Sequence, residues 1–595
     1  MYQINQQSEQ HSELDEYNSQ MTIKLKKKVR NGELQIQRSY KLTNLQFIQN
    51  LRIHKLKLID CTNIIPILKS NTIKELIIRF CKLQNIDNIH LENLEILNLS
   101  ENVELKNCSL ERFKQVKQLD VSYTYRSDIS NLLLPQLRIL NLSRNQIKDL
   151  SPLSNLVNLE ELDLSYSEGF DICPLQHLKK MRILQLSNCK LKSIKILELL
   201  TNLVELNLSG NNNIDLSSLQ FLVNLKKLNI SRTNTNNFDI LQKLNMLEEL
   251  NISLNEIPDL NFLKYQLGIC LTYLNLNHSK VLNIKLLLQL EHLKELNLSG
   301  NPDIDFQPLQ KMVQLQKLSL QFNKLGNISF LSALINLEHL ILYQNYNLDI
   351  TPLQYLINLT NLNISQCNIS DILSLDTLVN LEVLDMSQNE IYNIHNLHNL
   401  VNLTDLNFSY NSVKDISVIK QFKCLKTLRL SGNQGVNITP IQYLTQLTFL
   451  TLSGCDLHEI SALRPLVVLE YLDIGGNQIF YFYPIRAIDA DVQVRGNLIV
   501  ESSDYFTFFD VKNKSELIDE QPNNQQIVLA GKMKTIDMTT SCTRDINTRR
   551  KNHLMKKCVV KNRLDSLQQM QYEILLSLTN KALQLFSLLD GQECQ

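Results

Sequence analysis

"LNLSRNQIKDLSPLSNLVNLEELDLS", residues 140–165, carries a leucine or isoleucine at nearly every second or third place. At its two ends, in LNLS and LDLS, apolar and polar residues alternate, the period of a short strand with one face turned inward. Between them Ile147, Leu150, Leu153, Leu156 and Leu159 recur in threes, which suits a tight 3-10 or irregular arc better than an α-helix. Twenty-two residues beyond Leu140 the chain reads LDLSYS, and 22 beyond that LQLSNC. The unit is therefore one strand and one arc, repeated.

Aligned on L-x-x-L-x-L-x-x-N, the final position recurs twenty times, at Cys61, Cys81, Asn102, Thr124, Asn145, Ser167, Cys189, Asn211, Thr233, Asn255, Ser279, Asn301, Asn323, Asn345, Cys367, Asn389, Asn411, Asn433, Cys455 and Asn477. From Ser279 onward every step is 22; the one step of 24, between Asn255 and Ser279, reads as a lengthened loop. No single turn can bury its own leucines, so stability must come from stacking neighbours. An asparagine closing each turn can satisfy backbone groups that stacking takes out of water, and Cys, Thr and Ser are small partial substitutes for it. After Ser167, Asn211, Asn301, Asn345 and Asn433 the first apolar residue falls one place late, as a one-residue bulge would make it.

On these residues the chain resembles leucine-rich repeat proteins of the 22-residue class, found in internalins and in a regulatory subunit of protein phosphatase 1. The arc segments DLSPL at Asp149, DITPLQYL at Asp349 and NITPIQYL at Asn437 match that class. The resemblance covers about residues 33–500 and implies an α/β solenoid: a leucine-rich repeat horseshoe with a parallel concave β-sheet and 3-10 or irregular convex arcs, which binds other proteins. It leaves open a scaffold, a regulatory subunit docking on an enzyme such as a phosphatase, and a surface adhesin.

Organisation follows from where the pattern starts and stops. Residues 1–32 fall outside it and are expected to be disordered; the solenoid spans 33–500, with GELQIQ at the start and DVQVRGN at the end as degenerate caps. The polar stretch 501–530 reads as a linker, and 531–595 as a basic, then amphipathic helical tail. There Leu564, Leu567, Ile574, Leu578, Leu585 and Leu588 occupy coiled-coil a/d places, interrupted by Lys581, which predicts weak self-association.

Composition removes several functions. Lys plus Arg and Asp plus Glu both total 60, so no chain-wide field attracts nucleic acid. The basic part of the tail holds no Phe, Tyr or Trp for base stacking. No apolar run is long enough to span a membrane, and the first residues lack the apolar core of a signal peptide, so a cytoplasmic location is expected. The 12 cysteines form no C-x-x-C pair, and His395 and His398 have no third ligand near them in sequence. With no Gly-rich phosphate loop, G-x-S-x-G or H-E-x-x-H, the expectation is a chain without enzymatic activity, cofactor or metal.

Recognition is then expected on the concave strands, whose outward residues are mostly Asn, Asp and Ser. Two groups depart from that floor. One comprises Lys317, Ser319, Gln321, Phe322, His339, Ile341 and Tyr343; the other Thr427, Arg429, Phe449, Thr451, Tyr471 and Asp473. Aromatic and Arg residues are the usual anchors of interfaces, so Phe322, His339, Ile341, Tyr343, Arg429, Phe449 and Tyr471 are the candidate contacts for a protein partner.

Overall fold

The computed structural model describes residues 29–37, 45, 48, 51–61, 68–235, 237–264, 270–480, 482–485, 487–488 and 490–497, and the backbone of 528–530. The readings made of residues 1–28, of 501–527 within the linker, and of 531–595 lie outside these. The chain divides into two units, Met1–Leu425 and Lys426–Gln595.

In the first unit each turn contributes one strand to a parallel sheet. Glu33–Gln37 pairs with Lys55–Ile59, which pairs with Glu75–Arg79, and Ile96–Asn98 follows. The series then continues turn by turn to Asp405–Asn407. Register is set by leucine: Leu162, Leu184 and Leu206 are direct partners on successive strands and all are buried. A slip of one residue would turn that row to solvent. From Ser151–Asn155 onward the returning chain makes short 3-10 arcs, several opened by proline, as at Pro152, Pro174, Pro308 and Pro352. Proline suits this place because the first turn of a helix leaves its N–H unused.

The second unit repeats the plan on a smaller scale. Thr427–Arg429, Phe449–Thr451, Tyr471–Asp473 and Asp491–Gln493 run parallel, with arcs at Thr439–Tyr443, Ser461–Leu463 and Tyr483–Ile485. Val528–Ala530, within the stretch read as a linker, pairs antiparallel with Asp491–Gln493 and so occupies its open edge.

The recurrent asparagine performs the backbone role its spacing suggests. The Asn145 amide donates to the carbonyls of Val121 (2.9 Å) and Leu142 (3.0 Å), while its Oδ1 accepts the N–H of Arg126 (2.8 Å). Where Thr or Cys stands instead, fewer bonds survive: Thr124 Oγ1 donates to Val121 O at 2.8 Å, and Cys189 Sγ to Leu164 O at 3.3 Å. A second amide series lies between arcs and strands, where Asn336, Asn358 and Asn380 each donate to the carbonyl of the residue 23 places earlier, at 2.9 Å. Arc entry is fixed by carboxylates such as Asp349, whose Oδ1 accepts from both Thr351 Oγ1 (2.7 Å) and Thr351 N (3.0 Å), which lowers its pKa.

Cysteines at the asparagine position are sealed. Burial pushes the Cys189 thiol up to about 12, and Cys367 and Cys455 to about 11. Cys173 and Cys424 are exposed. Thiolate is the reactive form, so a thiol reagent near neutral pH should modify Cys173 and Cys424 and leave Cys61, Cys81, Cys189, Cys367 and Cys455 unmodified until the chain unfolds. Peptide mapping by mass spectrometry checks this; early labelling of Cys367 would contradict it.

Candidate functional site

The polar floor of the sheet is a structural device. At the end of most strands an Asn or Asp accepts the N–H of the residue two places on: Asn141 from Ser143 (3.0 Å), Asp163 from Ser165 (2.8 Å), Asn363 from Ser365 (3.0 Å), Asp385 from Ser387 (2.9 Å). The serine hydroxyl often donates to the same oxygen, as Ser365 does at 2.6 Å. This bracket turns the chain off the strand and explains why the motif N-x-S recurs.

Ile341 abandons it. An isoleucine offers no acceptor, and the Tyr343 N–H lacks the side-chain partner that Ser365 has one turn later. Ile341 is 36% exposed and Phe322 39% exposed, so the turns give up a hydrogen bond and place apolar surface in water. The sequence-predicted residues of this group do come together. Lys317 and His339 are strand partners, as are Ser319 and Ile341, and the Phe322 ring meets Tyr343 edge-on at 5.2 Å and 85°. Lys317 is occupied by Glu295 at 2.7 Å.

His278 joins this group unannounced. Its ring lies 6.1 Å from Phe322, two turns on, because the intervening turn carries Gly300. A Cβ there would stand 2.3 Å from His278 Nδ1, and Gly300 has φ +67°. The glycine of LSGN is thus required both by a left-handed backbone and by the imidazole laid across it.

The second group lies wholly in residues 426–595. The Arg429 guanidinium sits 5.0 Å over Phe449, and Phe449 stacks on Tyr471 at 4.6 Å and 10°. Strand pairing places the three on consecutive strands. Burial, and then the carboxylates of Asp473 and Asp491, raise the Tyr471 phenol.

A further row escaped the sequence reading. The residue just before the asparagine position is left-handed in most turns whatever its type, as at Phe80 (φ 58°), Tyr123 (54°), Arg144 (56°), Tyr166 (57°) and Tyr410 (55°). Phe80 is 55% and Tyr166 52% exposed, and Arg144 lies 4.3 Å over the Tyr166 ring. The available signal was a bulky residue where neighbouring repeats use Gly, since a side chain in this conformation costs about 1 kcal/mol or more.

Histidines at the arcs face separate aspartates: His395 Nε2 lies 3.5 Å from Asp415, and His398 Nδ1 3.7 Å from Asp376. Among the described residues no cluster of His, Cys, Asp and Glu is arranged to hold a metal, and no helix is long and apolar enough to cross a membrane.

Two stretches match family models: residues 135–177 one described as Leucine Rich repeats (2 copies), and residues 289–305 one described as Leucine Rich repeat. No curated protein matches the chain. An internalin of Listeria monocytogenes is similar in structure, with 26% identity, 55% of this chain and 84% of that one covered, and a TM-score of 0.37. A leucine-rich repeat protein of Leptospira interrogans is similar at 26% identity, covering 62% and 92%, with a TM-score of 0.45. The plant peptide hormone receptor RGFR1, solved in complex with RGF2, is similar at 17% identity, covering 79% and 81%, with a TM-score of 0.40.

Proposed function

This chain is a leucine-rich repeat protein, and from that premise we propose that it is a non-enzymatic scaffold that recognises a protein partner on the outward face of its strands. Gln185, Ser319 and Thr451 also break the floor, and the observation that carries the reading is the two breaks that stand among contacting aromatic rings. Ile341 and Arg429 both replace the bracketing Asn or Asp, and each stands among aromatic residues with rings in mutual contact. Phe322, His339, Ile341 and Tyr343 are the contacts of one patch, and Arg429, Phe449 and Tyr471 those of the other. Buried aromatic and Arg anchors dominate interface energies, which supports assigning recognition there.

A cytoplasmic location fits the same surface. Eight Asn-x-Ser sequons, from Asn98 to Asn407, lie on the row that forms the floor, and a glycan on any of them would stand on the binding face.

Affinity capture from the native cell with immobilised full-length chain tests the reading, comparing wild type with Ile341→Asn/Tyr343→Ser and with Arg429→Asn/Phe449→Thr. Loss of the same captured protein in either variant is the expected result. Undiminished capture by both would remove recognition from the sheet face. A phosphatase assay on the eluate decides between a plain scaffold and a subunit that docks on such an enzyme.

A further inference from the structure

Among the described residues of 426–595 the run of stacked side chains ends at the Tyr471 ring. Parallel pairing sets Thr427, Phe449, Tyr471 and Asp491 side by side in one row, and Arg429, Thr451, Asp473 and Gln493 in the row beside it. Arg429 lies over Phe449, and Phe449 packs face to face with Tyr471. Among the described residues no ring or guanidinium covers the other face of Tyr471. The next residue in its row is Asp491, a shorter side chain bearing a carboxylate, and Asp473 flanks it on the same strand.

Neither carboxylate has a cation within ion-pair distance among the described residues. Among the described residues Asp473 accepts the N–H of Gly475 (2.9 Å), and Asp491 the Gln493 amide (3.0 Å). On several other strands a glutamate is matched across to a neighbouring lysine: Glu75 to Lys55 at 2.9 Å, Glu249 to Lys227 at 2.6 Å, Glu295 to Lys317 at 2.7 Å. Here the sheet holds two aspartates and an aromatic face in place of such a match. An aromatic face attracts a cation through the ring quadrupole, and adjacent carboxylates add charge-assisted hydrogen bonds.

We propose that this place docks a lysine or arginine side chain of the protein partner, stacked on the open face of Tyr471 with Asp473 and Asp491 as its counter-charges. The inference rests on the reading of the sheet as a protein-binding face and specifies what the second patch recognises. A guanidinium there would extend the order already built, with Arg429, Phe449 and Tyr471 followed by a second cation. Arg429 at the opposite end makes the patch polar from end to end, so it orients a partner segment as well as holding it.

The test uses full-length chain and blocked pentapeptides Gly-Gly-X-Gly-Gly with X as Arg, Lys, Phe, Glu or Ala, followed by saturation-transfer NMR on the peptide. The Arg and Lys peptides should bind about tenfold more tightly than the Ala and Glu peptides, and less tightly as salt rises. Asp473→Asn/Asp491→Asn should abolish that preference. Asn at 473 keeps the bracket to Gly475, as Asn363 does for Ser365, so folding is preserved, which a thermal melt verifies. Tyr471→Leu should also abolish the preference, and Val467→Ala, at an exposed arc position, should leave it intact. Equal binding of all five peptides, a preference for Phe or Glu, or a basic preference that survives the Asp variants overturns the proposal. Loss of native capture in Arg429→Asn/Phe449→Thr without any basic-peptide preference would sink this inference alone. Basic-peptide binding with undiminished capture in that variant would instead sink the assignment of the second patch to the native partner.

Discussion

Leu340→Asp should unfold the central turns of residues 29–425. Leu340 is fully buried and sits in register between Leu318 and Leu362, so the carboxylate would enter a row of leucines with no cation beside it. An unpaired buried ion costs several kcal/mol even after relaxation, and the lost leucine burial adds about 2 kcal/mol. Each turn contacts mainly its neighbours, so the damage should spread from the turn outward and broaden the transition. Circular dichroism should show a melting midpoint lowered by ten degrees or more, on the order expected for such a loss. An unchanged melt would mean that Leu340 does not face the core.

Asn345→Ala should be nearly as severe although it removes no apolar contact. Asn345 accepts the N–H of Asn323 (3.1 Å) and Leu325 (3.0 Å) and donates to the carbonyls of Leu320 (3.0 Å) and Leu342 (2.7 Å). Alanine strands four buried backbone groups at about 1 kcal/mol or more each, giving a loss of about 3 kcal/mol or more. Asn345→Cys should recover part of it, since Cys367 one turn on donates to Leu342 O at 3.3 Å and to Ser365 O at 3.2 Å. Hydrogen exchange locates the effect: the Leu325 amide should lose protection in the alanine variant. Equal stability of the Ala variant and wild type would show that water replaces the amide, and that the ladder does not hold the turns together.

Much of this was legible because the repeat states it many times. Leucines at 162, 184 and 206 announce strands in register, and threefold spacing announces the arcs. The stack of Arg429, Phe449 and Tyr471 was also readable, since Phe449 and Tyr471 hold equivalent places 22 apart on adjacent strands and Arg429 stands in the next row of the strand before them. What escaped is what varies or what skips a turn. Left-handed positions at Phe80, Arg144 and Leu254 share a conformation and no residue type, so periodicity of composition does not mark them. His278 reaches Phe322 across Gly300, a contact that nearest-turn reasoning omits. The Asn/Ser floor, which reads as featureless, proves to be a set of brackets that gives its exceptions their physical meaning.

That meaning can be measured without knowing the partner. If Ile341 stands where a bracketing asparagine would be more stable, then Ile341→Asn/Tyr343→Ser restores the Asn363–Ser365 arrangement one turn early and removes exposed apolar surface. Thermal melts and native-cell capture on the same preparations test the account at its centre. It predicts a variant more stable by about 1 kcal/mol, one hydrogen bond's worth, that captures its partner more weakly. A variant that melts lower than wild type while capturing as well would contradict it, because Ile341 would then be a structural residue and the break in the floor no mark of recognition.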